Sequence, residues 1–377
     1  MRSDTASIPA AQRPLAGIRV IEACTYMAGP VAALNLADLG AEVIKVEPPT
    51  GDPYRGYQHS RNGFSAVWMN SNRGKRSVAL DLKDPADLER MFTLLEGADV
   101  FIENWRPKVA NNLGLTLGKV AARNPRLIRL SITGFGDSGP QVDEPAFDAL
   151  LQGKSGLVAS MAEYGRANPT PFFTADKVSA LYATQSILAA LVERGRTGKG
   201  RHVELAMLDL MAYFNFPELF FHRTFADDTF PYRAPPSVVL ETSDGHIVLS
   251  PVTGAQLGKT LQVLGHPEWK DDLKQIKDRV AAAHEFFRLI AAPLRERTSA
   301  HWLAAFREAD IPVGPVCDAD QHLNDDQVRH NQIYGVHDTP AGPVRMVRYP
   351  ALFDGQRLDP LGAAPVLGAD NAAVLGS

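Results

Sequence analysis

Two short runs near the start of the chain decide the fold, Ile18-Arg-Val-Ile-Glu22 and Glu42-Val-Ile-Lys-Val-Glu47. Both are rich in β-branched residues, and an alanine- and leucine-rich stretch at 31–39 lies between them. Pro30 suits the first position of a helix, where its missing N–H is not needed, and Gly40 suits the end of that helix. The pattern therefore predicts a strand, a helix and a second strand parallel to the first.

The alternation of strand and helix patterns continues to about residue 205. Further strands are predicted at Ser77–Asp81, Val100–Glu103, Leu127–Ser131 and His202–Leu205. Asp84 and Pro85 are suited to cap and begin a helix that runs through Leu95. A longer helix is predicted from Ala175 to Glu193, because its apolar residues recur at helical spacing. Together these elements predict an α/β fold with a largely parallel sheet.

The character of the chain changes after about Phe225, where a proline-rich stretch is followed by a predicted β-hairpin at 238–250 and then by helices. We therefore expect a smaller α+β domain at 226–330. The large domain is predicted at 15–225, and the segment 331–377 is predicted to return to it. Residues 1–14 contain charges and no hydrophobic stretch, so we expect a disordered lead-in there.

Composition excludes several classes of protein. The 377 residues are 45% hydrophobic and 22% charged, which is typical of a folded globular chain. A net charge of -4 argues against a nucleic-acid partner. The two cysteines, Cys24 and Cys317, are far apart and suggest neither a disulfide framework nor a metal site. No apolar run is long enough to span a membrane, so we expect a cytoplasmic protein.

The first strand, turn and helix invite a dinucleotide-binding interpretation, which the turn itself argues against. Residues 23–30 contain one glycine, whereas a pyrophosphate-binding turn needs three. Tyr26 and Met27 are bulky where glycines would stand. We therefore expect the fold without a nicotinamide cofactor.

A set of short motifs, spread over nearly the whole chain in order, resembles the class III CoA-transferases, the CaiB/BaiF family. These motifs are Pro14–Glu22, Ala28–Pro30, Leu36–Glu47, Asn72–Lys83, Ala98–Asn104, Asn124–Ile128, Gly134–Pro140, Arg196–Arg201, Ile311–Val316 and Pro365–Gly368. The resemblance includes formyl-CoA transferase-like enzymes and the related 2-methylacyl-CoA racemases. It implies a Rossmann-like large domain made from both chain ends, a small domain between them, and an interlocked ring homodimer.

The resemblance also implies a catalytic residue, Asp176, in the segment Thr174-Ala-Asp-Lys-Val-Ser-Ala180. In the family this aspartate attacks an acyl-CoA, and CoA then passes to an acceptor carboxylic acid through aspartyl anhydride and aspartyl-CoA thioester intermediates. Coenzyme A, carried as acyl-CoA, and a carboxylic acid are thus the expected partners. From the residues alone, a carboxylate in the first turn of a helix can equally be a structural acid that complements the helix dipole.

Several further positions match the family's CoA-binding segments. The resemblance assigns six residues to the CoA channel, namely Leu80, Leu82, Lys83, Asn104, Trp105 and Arg106. It also implies that Met27 and Ala28, which bind CoA as well, form the turn that approaches the thioester. Family members often have a glutamine where Met27 stands. On charge alone, Lys75, Arg76 and Arg106 are candidate phosphate partners, although each can equally be a solvated surface charge. Asp148 matches an acidic position near the nucleophile.

Two alternative functions remain open from the sequence. The related racemases pair their aspartate with a histidine in Gly-His-Asp, but this chain has Ala146-Phe147-Asp148, and a phenylalanine cannot exchange a proton. A non-catalytic acyl-CoA-binding protein is the other alternative. Phenylalanines near the expected site suggest a bulky or aromatic acid if they line it; they are Phe172, Phe173, Phe214, Phe216, Phe220 and Phe221.

Overall fold

The structure is a computed structural model that describes residues 7–162, 165, 167–227 and 230–376. The chain divides into two compact units, of which one consists of the residues up to Thr224 together with those from Gln332 onward. The other unit is Phe225–Asn331. Within the described residues, no helix combines the length and the apolar character that crossing a membrane requires.

The first unit is built on the parallel sheet that the sequence predicts. Its strands and two short accessory strands are β1 Arg19–Ala23, β2 Glu42–Glu47, β3 Ser60–Arg61, β4 Phe64–Ser65, β5 Arg76–Ala79, β6 Val100–Glu103, β7 Ile128–Thr133 and β8 Arg201–Ala206. Six of these form one sheet in the order β5-β2-β1-β6-β7-β8, with every neighbouring pair parallel. The order reverses direction next to β1, as in doubly wound nucleotide-binding folds.

Helices cover the sheet and carry its core. In the first unit they are α1 Ala28–Asp38, α2 Ala66–Asn72, α3 Pro85–Glu96, α4 Pro107–Asn112, α5 Leu117–Arg123, α6 Asp148–Lys154, α7 Leu157–Ala162, α8 Thr174–Thr197 and α9 Met207–Leu219. The long helix α8 packs on α1, where Asn35 donates to the Thr184 hydroxyl at 3.1 Å. Gly29 allows α1 to approach β1, because a Cβ there would lie 2.3 Å from the sulfur of Cys24.

The second unit has its own small antiparallel sheet and its own core. Its elements are β9 Val239–Glu241, β10 His246–Leu249, α10 Gly254–Val263, α11 Trp269–Gln275, α12 Arg279–Leu294, α13 Ser299–Glu308, β11 Val313–Pro315, α14 Ala319–Asn324 and α15 Asp326–His330. Strand β10 pairs antiparallel with both β9 and β11. Ile247, Phe286 and Phe306 are fully or almost fully buried at the centre of this unit.

The C-terminal segment belongs to the first unit. It forms the antiparallel pair β12 Tyr334–Thr339 and β13 Gly342–Val347, and later the short helix α16 Asn371–Leu375. Side chains at the start of α16 bond to the free edge of β5, where Asp370 accepts from the Ser77 N–H and Asn371 accepts from the Ala79 N–H, each at 2.9 Å. Asp370 and Asn371 thus accept hydrogen bonds from backbone N–H groups at the outer edge of the main sheet.

The N-terminal segment differs from its prediction. Arg13 is buried, and its guanidinium donates to the carbonyl oxygens of Ile8, Asp38 and Asp359 at 3.2, 3.0 and 2.7 Å. Residues 7–14 are therefore packed and not a disordered lead-in. Hydrophilic composition suggests disorder, but Arg13 holds this segment in place through one carbonyl of the segment itself and two that are distant in sequence. Residues 1–6, where the same prediction was made, lie outside the described residues.

A fully buried charge cluster joins the first strand, its neighbour and the first helix. The carboxylate of Glu22 accepts from Lys45 and Lys75, each at 2.7 Å, and all three side chains have no solvent exposure. The Lys45 ammonium also donates to the Cys24 carbonyl at 2.7 Å, and that of Lys75 donates to the Pro30 carbonyl at 2.8 Å. Burial alone would raise the pKa of Glu22, but the two ammonium groups outweigh it and lower that pKa.

Replacing the shared carboxylate should destabilise the protein severely. Glu22→Gln removes the carboxylate paired with Lys75 and one of the two paired with Lys45, whose other partner is Asp52 at 3.1 Å. Removing one partner of a buried ion pair costs about 3–5 kcal/mol. Urea unfolding at fixed protein concentration measures the loss. Glu42→Gln is the matched control, because Glu42 pairs with Arg19 and Arg76 at the surface, where a pair contributes about 1 kcal/mol or less. Equal losses for the two variants would contradict a structural role for the buried cluster.

Candidate active site

A cavity of about 700 Å³ opens at the carboxyl ends of three neighbouring strands of the main sheet. Its walls include the turn 25–28 that follows β1, the segment 104–106 that follows β6, and residues 132–134 at the end of β7. In open parallel sheets, ligands bind in such a crevice, where the strand order reverses. The strand order alone therefore brings these three segments to one place.

The opposite wall carries two carboxylates. Asp176, on the first turn of α8, is half-buried and faces the cavity, and Asp148 begins α6. Asp148 Oδ1 accepts the backbone N–H of Asp176 at 3.1 Å. The other Asp148 oxygen accepts from the Gln152 amide, whose own oxygen accepts the Thr170 N–H at 2.8 Å. Gln152 thus connects α6 to the loop that leads into α8 and fixes the position of both acids.

The environment of Asp176 favours its protonated form. Burial, and then the negative charge of Asp148, raise the pKa of Asp176 to about 7. The charge of Asp176 also acts on Tyr54, whose hydroxyl has a raised pKa, first because of burial and next because of Asp176. A carboxylate whose pKa lies near neutrality, in a cavity, is a common feature of catalytic sites.

Aromatic rings from separate segments form one side of the cavity. Tyr26 meets both Tyr54 and Phe147 edge to face, with ring centroids 5.6 Å apart in each pair. Tyr54 in turn lies 6.4 Å from Phe173. The backbone of Tyr26 has a φ of 67°, a left-handed conformation that non-glycine residues rarely adopt. In this conformation the Tyr26 ring contacts both of the other rings. Tyr57, Trp105 and Phe172 also line the cavity.

Most of the residues assigned by resemblance lie at this cavity. Those that line it are Met27, Ala28, Asn104, Trp105, Arg106, Asp148 and Asp176. Asn104 holds the turn after β1 by accepting the Thr25 N–H at 3.1 Å and donating to the Thr25 carbonyl at 2.9 Å. Arg106 is exposed at the rim and donates to the Asp143 carbonyl at 2.8 Å.

A second, smaller cavity of about 200 Å³ lies at the same edge of the sheet and shares Thr25 and Trp105 with the first. Leu80, Leu82 and Lys83 line it. The structure therefore gathers the residues that the resemblance assigned to the CoA channel around two adjoining cavities.

Two predicted phosphate partners are wrong. Lys75 has no solvent exposure and is bonded to Glu22 inside the protein, and burial lowers its pKa to about 8. Arg76 lies at the amino-terminal end of β5, whereas the cavity is at the carboxyl ends of the strands, and Arg76 pairs with Glu42 and Asp370. Charge alone suggested both residues, but composition does not show which lysines are buried in ion pairs.

Sequence reasoning missed three residues that shape the cavity, of which two line it directly. Tyr26 was noted only as too bulky for a nucleotide turn, and Phe147 only as a missing base. Gln152 gave no signal, because its role depends on contacts with residues up to twenty positions away. Of the six phenylalanines considered, Phe172 and Phe173 line the cavity and the other four do not. Among the described residues, no group of three or more side chains is arranged to hold a metal ion.

A cavity at the switch point of a parallel sheet, with a carboxylate of raised pKa in its wall, defines an α/β enzyme site for small molecules. Residues 15–371 match the sequence profile of CoA-transferase family III. The succinate–glutarate CoA-transferase of Agrobacterium fabrum is 32% identical and aligns with 98% of this chain and 96% of its own. The acetyl-CoA:oxalate CoA-transferase of Acetobacter aceti is 31% identical, over 93% of this chain and 94% of its own.

The crystal structure of a CaiB/BaiF family protein from Brucella suis superposes with a TM-score of 0.81 at 30% identity, over 97% of this chain and 99% of the other. The chain belongs to CoA-transferase family III, the CaiB/BaiF family, and is a class III CoA-transferase. Enzymes of this kind use acyl-CoA substrates.

Removing the charge of Asp176 should stabilise the protein at neutral and higher pH. An aspartate with a pKa of about 7 in the folded state and about 3.9 when unfolded binds its proton more tightly when folded, so stability falls as pH rises through that window. Asp176→Asn removes this cost. We expect its melting temperature to exceed that of wild type by about a few degrees above pH 7, and the gain to vanish toward pH 4.

Thermal unfolding between pH 4 and 8.5, at constant protein concentration, measures this difference. Asp209→Asn is the matched control, because Asp209 also lies in the first turn of a helix but is exposed. It should be neutral or slightly destabilising, since it loses only a favourable interaction with the helix dipole. A pH-independent difference between Asp176→Asn and wild type would contradict the raised pKa.

Proposed function

We propose that Asp176 is the nucleophile of this CoA-transferase and carries the transferred group covalently. The observation that carries the proposal is the cavity-facing carboxylate of Asp176, which Asp148 holds by its backbone N–H in a protein of CoA-transferase family III. At neutral pH about half of this carboxylate is ionised, because its pKa is about 7. A carboxylate can attack an acyl carbonyl and so divide one difficult transfer into easier steps.

In the first half of the reaction, an Asp176 oxygen attacks the thioester carbonyl of the donor. The carbon–sulfur bond breaks, which gives an acyl-aspartyl anhydride and a CoA thiolate. The thiolate then attacks the aspartyl carbonyl, and the donor acid leaves as a carboxylate. The product is an aspartyl-CoA thioester, and no net proton transfer is needed.

In the second half, the carboxylate of the acceptor acid attacks the aspartyl carbonyl and displaces CoA again as a thiolate. This forms a second anhydride, whose acceptor acyl carbonyl the thiolate attacks. The acyl-CoA product leaves and Asp176 is restored. Since one thioester replaces another, hydrolysis is the main side reaction, and a cavity that excludes water limits it.

The turn after β1 is the proposed source of oxyanion donors. The first N–H groups of α1 have no carbonyl partners in their own helix, and Met27 and Ala28 line the cavity. Met27 offers no side-chain amide, so the backbone N–H groups must stabilise the developing charge there. The smaller cavity at Leu80, Leu82 and Lys83 supports a path for the CoA chain toward Trp105, and the exposed Arg106 can contact its phosphates.

We also infer that the active form is an interlocked homodimer, as the family resemblance implies. Large apolar side chains stand exposed on α8 and α9 of the single chain, which supports their burial by another subunit. They are Leu181, Val192, Tyr213, Phe214 and Phe216.

Asp176→Asn should abolish transfer and covalent trapping. The amide keeps the shape of the side chain but is a poor nucleophile, so we expect a loss of several orders of magnitude in kcat. Wild type incubated with an acyl-CoA and then with hydroxylamine should lose activity, and mass spectrometry should locate the modification on Asp176. The variant should show neither release of CoA nor modification.

Asp148→Asn tests the second carboxylate in the same assay. We expect slower turnover with the trapping still on Asp176, because Asp148 positions the nucleophile and does not react. An adduct on Asp148 would show that the nucleophile is misassigned. Transfer by sequential kinetics, with no adduct on either residue, would refute the covalent mechanism.

A topologically linked dimer should not dissociate while it remains folded. Sedimentation over a wide range of dilution should show one dimeric species, and mixed light- and heavy-isotope dimers should exchange subunits only after unfolding and refolding. A folded monomer at high dilution would refute the interlocked arrangement.

A further inference from the structure

The cavity that holds Asp176 is more aromatic than a site for small polar acids requires. Tyr26, Tyr54 and Phe147 form a continuous edge-to-face group, and Phe173 extends it toward the beginning of α8. Of these rings, Tyr54 is almost completely buried, whereas Phe147 is 61% exposed at the cavity. The Tyr54 ring is therefore fixed by packing, whereas the Phe147 ring presents a face that a ligand can cover.

The charges that line the cavity disfavour a second carboxylate on the substrate. The acidic side chains among the described lining residues are Glu144, Asp148 and Asp176. Arg106 is the one lysine or arginine among those same residues, and it lies exposed at the rim, where it donates to the Asp143 carbonyl. Among the described lining residues of the single chain, a carboxylate at the far end of a short dicarboxylic acid would meet like charges and no buried cation.

Both acyl groups of the reaction must occupy this same space. On the proposed function, the donor and the acceptor acyl groups are each joined in turn to the carboxylate of Asp176, so their side chains extend from one point. Any selectivity of the wall therefore applies to donor and acceptor alike. A flat apolar group can stack against the rings, and such contacts depend on geometry as well as on buried area.

We propose that the acids exchanged at this site are aryl or similarly bulky apolar monocarboxylic acids, and that Phe147 with Tyr26 forms the surface that selects them. This inference rests on the proposed covalent function of Asp176. Phe147 is well placed for the role, because it immediately precedes Asp148 and its ring lies against Tyr26 across the cavity wall.

The test measures the burst of free carboxylic acid that leaves as the aspartyl-CoA thioester forms, when the full-length enzyme is mixed with a single acyl-CoA. Phenylacetyl-CoA, butyryl-CoA and succinyl-CoA are compared, since they present an aryl, a small apolar and a charged acyl group. We expect phenylacetyl-CoA to acylate the enzyme at least about tenfold more efficiently than succinyl-CoA. A preference for succinyl-CoA would overturn the proposed substrate class and leave the covalent function intact. No burst with any of the three would instead refute the covalent function.

Phe147→Ala separates a selective wall from general packing. Because the side chain is exposed, its removal should not prevent folding, and the burst with phenylacetyl-CoA should fall about three- to tenfold while that with butyryl-CoA changes less. Leu150→Ala is the matched control, since Leu150 is an exposed apolar residue of α6, the helix that Phe147 precedes, and does not line the cavity. It should leave both bursts unchanged. Equal losses for the two acyl-CoAs in Phe147→Ala would overturn the selective role of Phe147.

Discussion

Glu22 shares its carboxylate between two lysine ammonium groups in a region from which water is excluded. Because none of the three charges can be solvated, each must keep its partners, and the partners include backbone carbonyls on both sides of the first turn. Lys45 holds the end of β1 through Cys24, and Lys75 holds the start of α1 through Pro30. These two hydrogen bonds hold the residues on either side of the turn 25–28, so that the backbone of the turn faces the cavity in one conformation.

The rest of the site depends on placing a carboxylate opposite that turn. The strand order supplies one wall, and the hydrogen bonds of Gln152 and Asp148 supply the other, by tying the start of α6 to the start of α8. This arrangement costs stability, because Asp148 adds a negative charge beside an acid that is already partly desolvated. The result is a carboxylate with a pKa near neutrality, as the role proposed for Asp176 requires.

Local pattern was enough to predict the parallel sheet, because strand signals depend on neighbouring residues in the chain. Strand β2 begins and ends where it was expected, and β6 does also. The resemblance singled out Asp176, and that residue lies in the wall of the cavity. Burial and pairing were not predictable: Lys75 looked like a surface cation, and Arg13 looked like part of a disordered segment. Each is fixed by groups far away in sequence, such as Asp359 for Arg13, and no short window contains that information.

The first unit is completed by residues from both ends of the chain, which has a consequence for folding during synthesis. The N–H groups at the edge of β5 have no acceptors until Asp370 and Asn371 have been synthesised. Arg13 likewise lacks one of its acceptors until Asp359 has been synthesised. The intervening residues Phe225–Asn331 contain a core of their own and can fold earlier. A nascent chain therefore carries an open strand edge, which is a template for aggregation, until Asp370 and Asn371 have left the ribosome.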